Sequence, residues 1–336
     1  MSSPVSSTSL TSAPVAATTA SATGGGEPPQ VLSQPKVRGA RWWREVGWRH
    51  VVGLIAIVYA VIPIMYVVSA SLNPLGSVSS TSLIPTQASL VHYESLFGNA
   101  TRPFARWYLN SMIVASVVVV AQVFFSALAA YAFSRFRFRG RRGGLLAVLL
   151  VQMFPQFLAV VALFQMFSAV REVFPPLGIN TLAGYMLVLL GGSLGHVWLI
   201  KGFFDSVPKE LDEAAKIDGA GHAQIYFQII LPLVRPILAV TALLSFVGVI
   251  GEFLLASIFL RTTTVKTLAV GMYTVLDADR SNNLGWFAAA AVLVSIPVVL
   301  LFQYLQRYIV GGITAGAVKG GAGRPRAGPV RRTARG

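Results

Sequence analysis

The sequence predicts an all-α polytopic membrane protein with six transmembrane helices. Three observations carry this prediction: a composition too apolar for a soluble chain, hydrophobic runs of spanning length, and basic residues gathered on alternate inter-span segments. Of 336 residues, 54% are hydrophobic and 12% are charged, about half the charged share of an average soluble domain. A soluble protein of this size needs polar surface to cover its core, and this chain has too little.

The transmembrane domain covers 50–312, with spans at roughly 51–72, 110–133, 144–168, 181–203, 236–260 and 286–308. Each is long enough to cross a hydrocarbon layer about 30 Å thick. Helices are expected because a spanning segment must satisfy its backbone internally. Pro155 should kink the third span, and Gly191, Gly192 and Gly195 interrupt the fourth. Residues 1–40 are rich in Ser, Thr, Ala, Gly and Pro and bury too little surface to order, so a disordered cytoplasmic tail is expected. They lack the basic start and apolar centre of a signal peptide. Residues 313–336 read as a flexible basic tail.

The net charge of +15 raises the question of nucleic acid, and its distribution answers it. With both termini in the cytoplasm, 21 basic residues lie inside and six outside: Arg102, Arg106, Arg171, Arg261, Lys266 and Arg280. That asymmetry sets the orientation by the positive-inside rule and explains the basic chain without nucleic acid as a partner. Trp42, Trp43 and Trp48 before the first span, and Trp107 and Tyr108 before the second, suit interfacial anchoring. No cysteine is present, which excludes disulfides and thiolate metal sites. The four histidines, at 50, 92, 196 and 222, have no metal-binding spacing, so no metal site is expected.

One cytoplasmic segment, 204–235, carries most of the information. Glu210, Asp212 and Glu213 favour the positive start of a helix, preceded by Pro208. Leu211, Ala214 and Ala215 can share one face, and Gly219 supplies a left-handed stop. A second short helix should run from about 221, presenting Ile225, Ile229 and Phe227, until Pro232 and Pro236 stop it. The product is two short helices with a tight bend, in which Ala214 and Ala215 leave room for a partner to approach.

The spacing Glu213-Ala214-Ala215, Gly219, Ile229, Leu231-Pro232 resembles the signature loop of bacterial ABC importer permeases. A lone Glu-Ala-Ala is common in Ala-rich helices; the full spacing, in the cytoplasmic loop before the penultimate span, is specific. The segments Met153–Pro155, HVWLIKGFF (196–204), TLAVGMY (267–273) and QRYIVGGITAGAVKG (306–320) are similar to the smaller permease subunit of maltose/maltodextrin transporters. The resemblance covers roughly 50 to 320.

It implies the type I ABC importer permease fold in the bacterial cytoplasmic (inner) membrane, importing a maltose-like sugar, with trehalose, another oligosaccharide or a polyol as alternatives. It also implies the partners: a homologous second permease, two ATPase subunits and an extracytoplasmic sugar-binding protein. Glu213, Ala214, Ala215, Asp218, Gly219, Ile229, Leu231 and Pro232 would form the loop that couples to the ATPase, and Lys319 a possible further ATPase contact. The chain has no GxxxxGK[ST] phosphate loop, so it is expected to be no enzyme and to bind no cofactor, with ATP and Mg on the partner. The outer segment 261–284 would face the binding protein.

Within the membrane, Glu252 should face the bundle interior or a watery cavity, because an ionisable group in lipid is costly. It lines the translocation path or bonds a neighbouring helix. Gln152 and Gln156, four residues apart, meet sugar hydroxyls or bond between helices. Phe154, Phe157, Phe164 and Phe167 resemble a sugar-stacking row, though packing or lipid contact is the commoner use. A secondary transporter would need more membrane carboxylates or a repeated half, and neither is evident. An intramembrane enzyme lacks support, since no HExxH or Ser/His pairing appears in the spans.

Overall fold

The computed structural model describes residues 43–75, 83–85 and 87–319, the side chains at 44, 45, 156 and 310–319 excepted. The expected tail over 1–40 and the stretch beyond 319 lie outside the described residues, as do the Gln156 and Lys319 side chains. All regular structure among the described residues is helical. The chain divides after Ile57, within the first long helix, α1 (Trp48–Leu72). From Val58 to Val68 the apolar side chains of α1 are mostly exposed, while Ser69, Ala70 and Ser71 are buried.

After α1 come α2 (Val91–Gly98), α3 (Phe104–Arg135), α4 (Arg141–Met153), α5 (Gln156–Val173), α6 (Leu182–Leu190) and α7 (Ser193–Ser206). The chain continues through α8 (Glu210–Ile217), α9 (His222–Leu233), α10 (Arg235–Ile250), α11 (Leu254–Phe259), α12 (Leu268–Ala278) and α13 (Arg280–Lys319). Among the described residues, three helices are long and apolar enough to cross a membrane alone: α1, α3 and α13 as far as Ile309. Up to six spans result if the bent pairs α4–α5 (98°), α6–α7 (41°) and α9–α10 (77°) each count as one.

The α4–α5 and α6–α7 breaks have local causes. Phe154 precedes a proline and takes the extended conformation that proline imposes, with ψ 129°, so the helix expected over 144–168 is split at Pro155. The fourth span breaks at Gly191–Gly192, and α3 takes up carbonyls there. Gln122 Nε2 donates to Leu189 O at 2.7 Å, and Ser126 Oγ donates to Ser193 O at 2.7 Å. Irregular backbone at membrane depth is tolerated where other helices satisfy it. The fifth span, expected over 236–260, is regular only to Ile250, with a break at Gly251–Phe253 before α11.

Helix α3 is the spine, packed on α7 and α10, while α10 and α12 pack on α13. Its 32 residues span about 48 Å, well over one hydrocarbon thickness. At one end Leu96, Phe104, Trp107, Leu268, Met272 and Trp286 form a core. At the other, Tyr131, Phe204, Ala215, Ile225, Tyr226 and Ile230 form a second.

Two expectations are corrected. Trp107 is not an interfacial anchor: it is 2% exposed and its indole N–H donates to Thr263 O at 2.7 Å. The basic tail does not begin at 313, because α13 continues to Lys319. The segment 261–284 is packed through its middle and exposed near both ends. Asn110 Nδ2 donates to Thr264 O and Lys266 O, Leu268 N donates to Ser111 Oγ, and α12 buries Leu268, Val270, Met272 and Val275. Its exposed parts are 261–264, 273–274 and the turn over 277–282, where Asp279 accepts from Asn282. That amide donation holds the Asp279 carboxyl below the usual carboxylate range.

Candidate functional site

The segment 204–235 folds as two short helices joined by a tight bend. Helix α8 starts with Glu210, Asp212 and Glu213 in its first turn, where carboxylates offset the exposed N–H groups. It ends in a Schellman motif. Gly219 N donates to Lys216 O at 3.0 Å, and Ala220 N donates to Ala215 O at 2.9 Å. Gly219 has φ 83°, and a Cβ there would meet nothing within 4 Å, so the backbone conformation alone demands glycine. Gly219→Ala should therefore destabilise the bend by about 1–2 kcal/mol; amide hydrogen exchange of Asp218–Gly221 should quicken while the rest of the permease is unaltered.

Helix α9 begins with half of a capping box, Gly221 N donating to Gln224 Oε1 at 3.0 Å. It widens to a π-helix over Ile225–Ile230, which turns Ile225, Tyr226 and Ile230 into the core. The Tyr226 ring lies 4.8 Å from that of Tyr131 on α3. Burial, with Tyr131 adding to it, pushes the Tyr226 phenol up to about 12, so it stays neutral at physiological pH. Ile229 and Leu231 pack against the same core, and Pro232 is half-buried.

The faces of α8 differ from expectation. Asp212 and Ala215 face inward, while Leu211, Glu213, Ala214, Asp218 and Gly219 are exposed. Ile217 is 87% exposed and Phe227 52%. Leu211 and Ala214 thus do not share the Ala215 face; the i, i+3 pair on the inner side is Asp212 and Ala215. Sequence spacing could not tell which stripe turns inward, because an acidic residue was the less obvious choice for burial. Its reason is Arg135, the last residue of α3, whose Nε lies 3.0 Å from Asp212 Oδ2. Among the described residues Glu213 has no ion-pair partner.

The intramembrane candidates do not converge on one site. Glu252 caps α11: Oε1 accepts from Leu255 N at 2.8 Å, and Oε2 accepts from Ala256 N at 2.9 Å and from Tyr185 Oη at 2.7 Å. The break in the fifth span thus needs this carboxylate, which is half-buried. Gln152 Nε2 donates to Leu194 O of α7 at 3.1 Å, a bond between the third span and the first turn of α7. His196 pairs with Ser245 at 2.8 Å. The phenylalanine row divides: Phe167 is buried against Phe259, Phe164 lies under the Arg261 guanidinium, and Phe154 and Phe157 are exposed.

Residues 122–314 match the family model described as binding-protein-dependent transport system inner membrane component. The chain is 42% identical over 268 residues to the galactooligosaccharides transport system permease protein GanQ of Bacillus subtilis, covering 79% of this chain and 92% of that protein. It is 39% identical over 301 residues to the maltose/maltodextrin transport system permease protein MalG of Escherichia coli, covering 86% and 99%. The fold matches a chain of a bacterial ABC transporter involved in the import of the acidic polysaccharide alginate, with TM-score 0.66 and 24% identity, covering 81% of this chain and 99% of that one. A second alginate transporter structure, in complex with its alginate pentasaccharide-bound periplasmic protein, matches with TM-score 0.59 and 15% identity over 79% and 96%. The family model spans α3's second half, both halves of the broken fourth span and the whole double-helix loop, and the chain belongs to the binding-protein-dependent transport system inner membrane component family.

Proposed function

We propose that this chain is one permease subunit of an ATP-driven importer for a sugar of the maltodextrin or galactooligosaccharide type. It would lie in the bacterial cytoplasmic membrane with six spans and both termini inside, paired with a homologous permease, two ATPase subunits and an extracytoplasmic sugar-binding protein. The single observation that carries the reading is the outer face of the 204–235 loop. Its backbone is held by a complete helix stop and a buried aromatic core, yet Leu211, Glu213, Ala214, Ile217 and Phe227 point away from the protein. A rigid loop with an apolar and acidic outer face suits a groove on a partner.

In this reading ATP and Mg bind the partner subunit, which carries out hydrolysis, and closure of the ATPase pair moves the loop. The permease then passes between discrete inward- and outward-facing arrangements, each favoured by different nucleotide states. The exposed apolar side chains of α1 after Val58 suit lipid or the companion permease. Glu252, at the break in the fifth span, and Gln152, in the third span and bonded to the fourth, would border the translocation path; Gln156 and Lys319 keep the roles the sequence suggests. The sugar class rests on the relatives, and polyols or trehalose are the alternatives.

Reconstitution of the four-subunit complex in liposomes tests the assignment. Maltodextrin- or galactooligosaccharide-loaded binding protein should stimulate ATP hydrolysis and sugar entry together. Stimulation only by an amino-acid or peptide system would overturn the sugar class.

A further inference from the structure

We propose that the buried ion pair between Arg135 and Asp212 is the positioning contact through which displacement of α8 reaches the membrane-spanning helix α3. The inference rests on the reading of α8 as the ATPase-facing helix. Arg135 is the C-terminal residue of α3 and Asp212 lies in the first turn of α8; their side chains are 6% and 11% exposed. The same guanidinium donates from Nη2 to Val207 O at 3.0 Å. One side chain therefore holds both the linker that enters α8 and a carboxylate on α8 itself.

The neighbouring contacts grip α3 differently. Ser134 Oγ donates to Asp205 Oδ1 at 2.6 Å, and Asp205 also receives Lys201, which ties α3 to α7. Tyr131 packs on Phe204 and Tyr226, an apolar contact with α7 and α9. Toward α8, the apolar contribution is Ala215, with little surface to grip. The charged pair is thus the directional connection between α3 and α8.

The geometry of the pair leaves room for a second arrangement. At 3.0 Å the contact is ionic, but Arg135 Nε, Arg135 Nη1 and Asp212 Oδ2 are buried without hydrogen bonds. A buried guanidinium and carboxylate gain when they meet in one plane through two N–H···O bonds, and unsatisfied buried groups are costly. A rotation of α8 against the end of α3 would bring the carboxylate into that plane. A docked ATPase that turns α8 would therefore change the fit of this pair and pull on α3, the spine on which α7 and α10 pack. That is a discrete element which both ends of the coupling path can bias.

The test separates transmission from folding. A buried ion pair can be replaced by apolar residues of similar volume with little loss of stability, whereas removing one partner leaves an unpaired charge. R135M/D212L is therefore the main variant, with R135K as the conservative one, since lysine keeps the charge but lacks the fork that serves Val207 and Asp212 together. Each is reconstituted with its companion permease, ATPase and binding protein, and ATP hydrolysed per sugar imported is measured on assembled complexes. The expected result is assembly in both, with the ratio raised roughly ten-fold in R135M/D212L and less in R135K. An unchanged ratio in R135M/D212L overturns the proposal, and so does failure of both variants to assemble, which would make the pair a fold contact. Failure of the wild-type chain to bind the ATPase overturns the docking reading, and the inference with it.

Discussion

Glu213→Lys should lower sugar uptake roughly a hundred-fold, on the order of 2–3 kcal/mol of lost docking, while the folded permease remains in the membrane. The carboxylate is exposed and has no ion-pair partner among the described residues, so the fold does not need it. Its one internal service is to the start of α8, where an acidic group is worth about 0.3–1 kcal/mol. Reversal of charge on an interface residue puts like beside like, or removes a complement, and costs far more than that. Glu213→Gln should retain more activity, because it keeps the shape without the repulsion. Co-purification of the ATPase alongside transport distinguishes loss of docking from loss of folding; uptake within two-fold of wild type, about 0.4 kcal/mol, would remove Glu213 from the interface.

The second large effect lies at the other end of the molecule. A Cβ on Gly271 would stand 2.2 Å from Trp107 Cε3 and 2.3 Å from Cδ2. The indole cannot yield, because its N–H is bonded to Thr263 O and its ring is enclosed by Phe104, Leu268, Met272 and Trp286. Gly271→Ala should therefore destabilise the protein by about 3 kcal/mol, the upper range for overpacking, and Trp107→Ala by about 3–5 kcal/mol through cavity formation. The two residues touch, so the double variant should be less destabilised than the two single effects combined. Thermal unfolding of the purified permease in detergent reads all three; additive losses would mean that the contact is not rigid.

These two sites show what the sequence could and could not reveal. The 204–235 loop was legible because its determinants are local: acidic residues at a helix start, a left-handed glycine at its end, prolines beyond. The orientation of α8 was not, since its cause is Arg135, remote in the chain. The same holds for the fourth span, where the glycine break is visible in sequence but the Gln122 and Ser126 groups that satisfy it are not. Trp107 misled for a related reason: a tryptophan at the edge of a span suits an interface, and only the 263–268 backbone brought over it makes it a core residue. Glu252 reads as an ionisable group needing a partner; the α11 amides it accepts from are freed by a helix break that periodicity alone does not expose, and its other donor, Tyr185, comes from α6, remote in the chain.

The central claim is that the outer face of α8 seats in an ATPase subunit. The absence of cysteine from the chain allows a direct test, since Ala214→Cys introduces a single thiol on an exposed, small side chain. A thiol-linked photo-crosslinker at this position, in membranes containing the assembled importer, should label the ATPase subunit as its main protein product. Labelling confined to lipid or the companion permease, in complexes that retain the ATPase, would contradict the account.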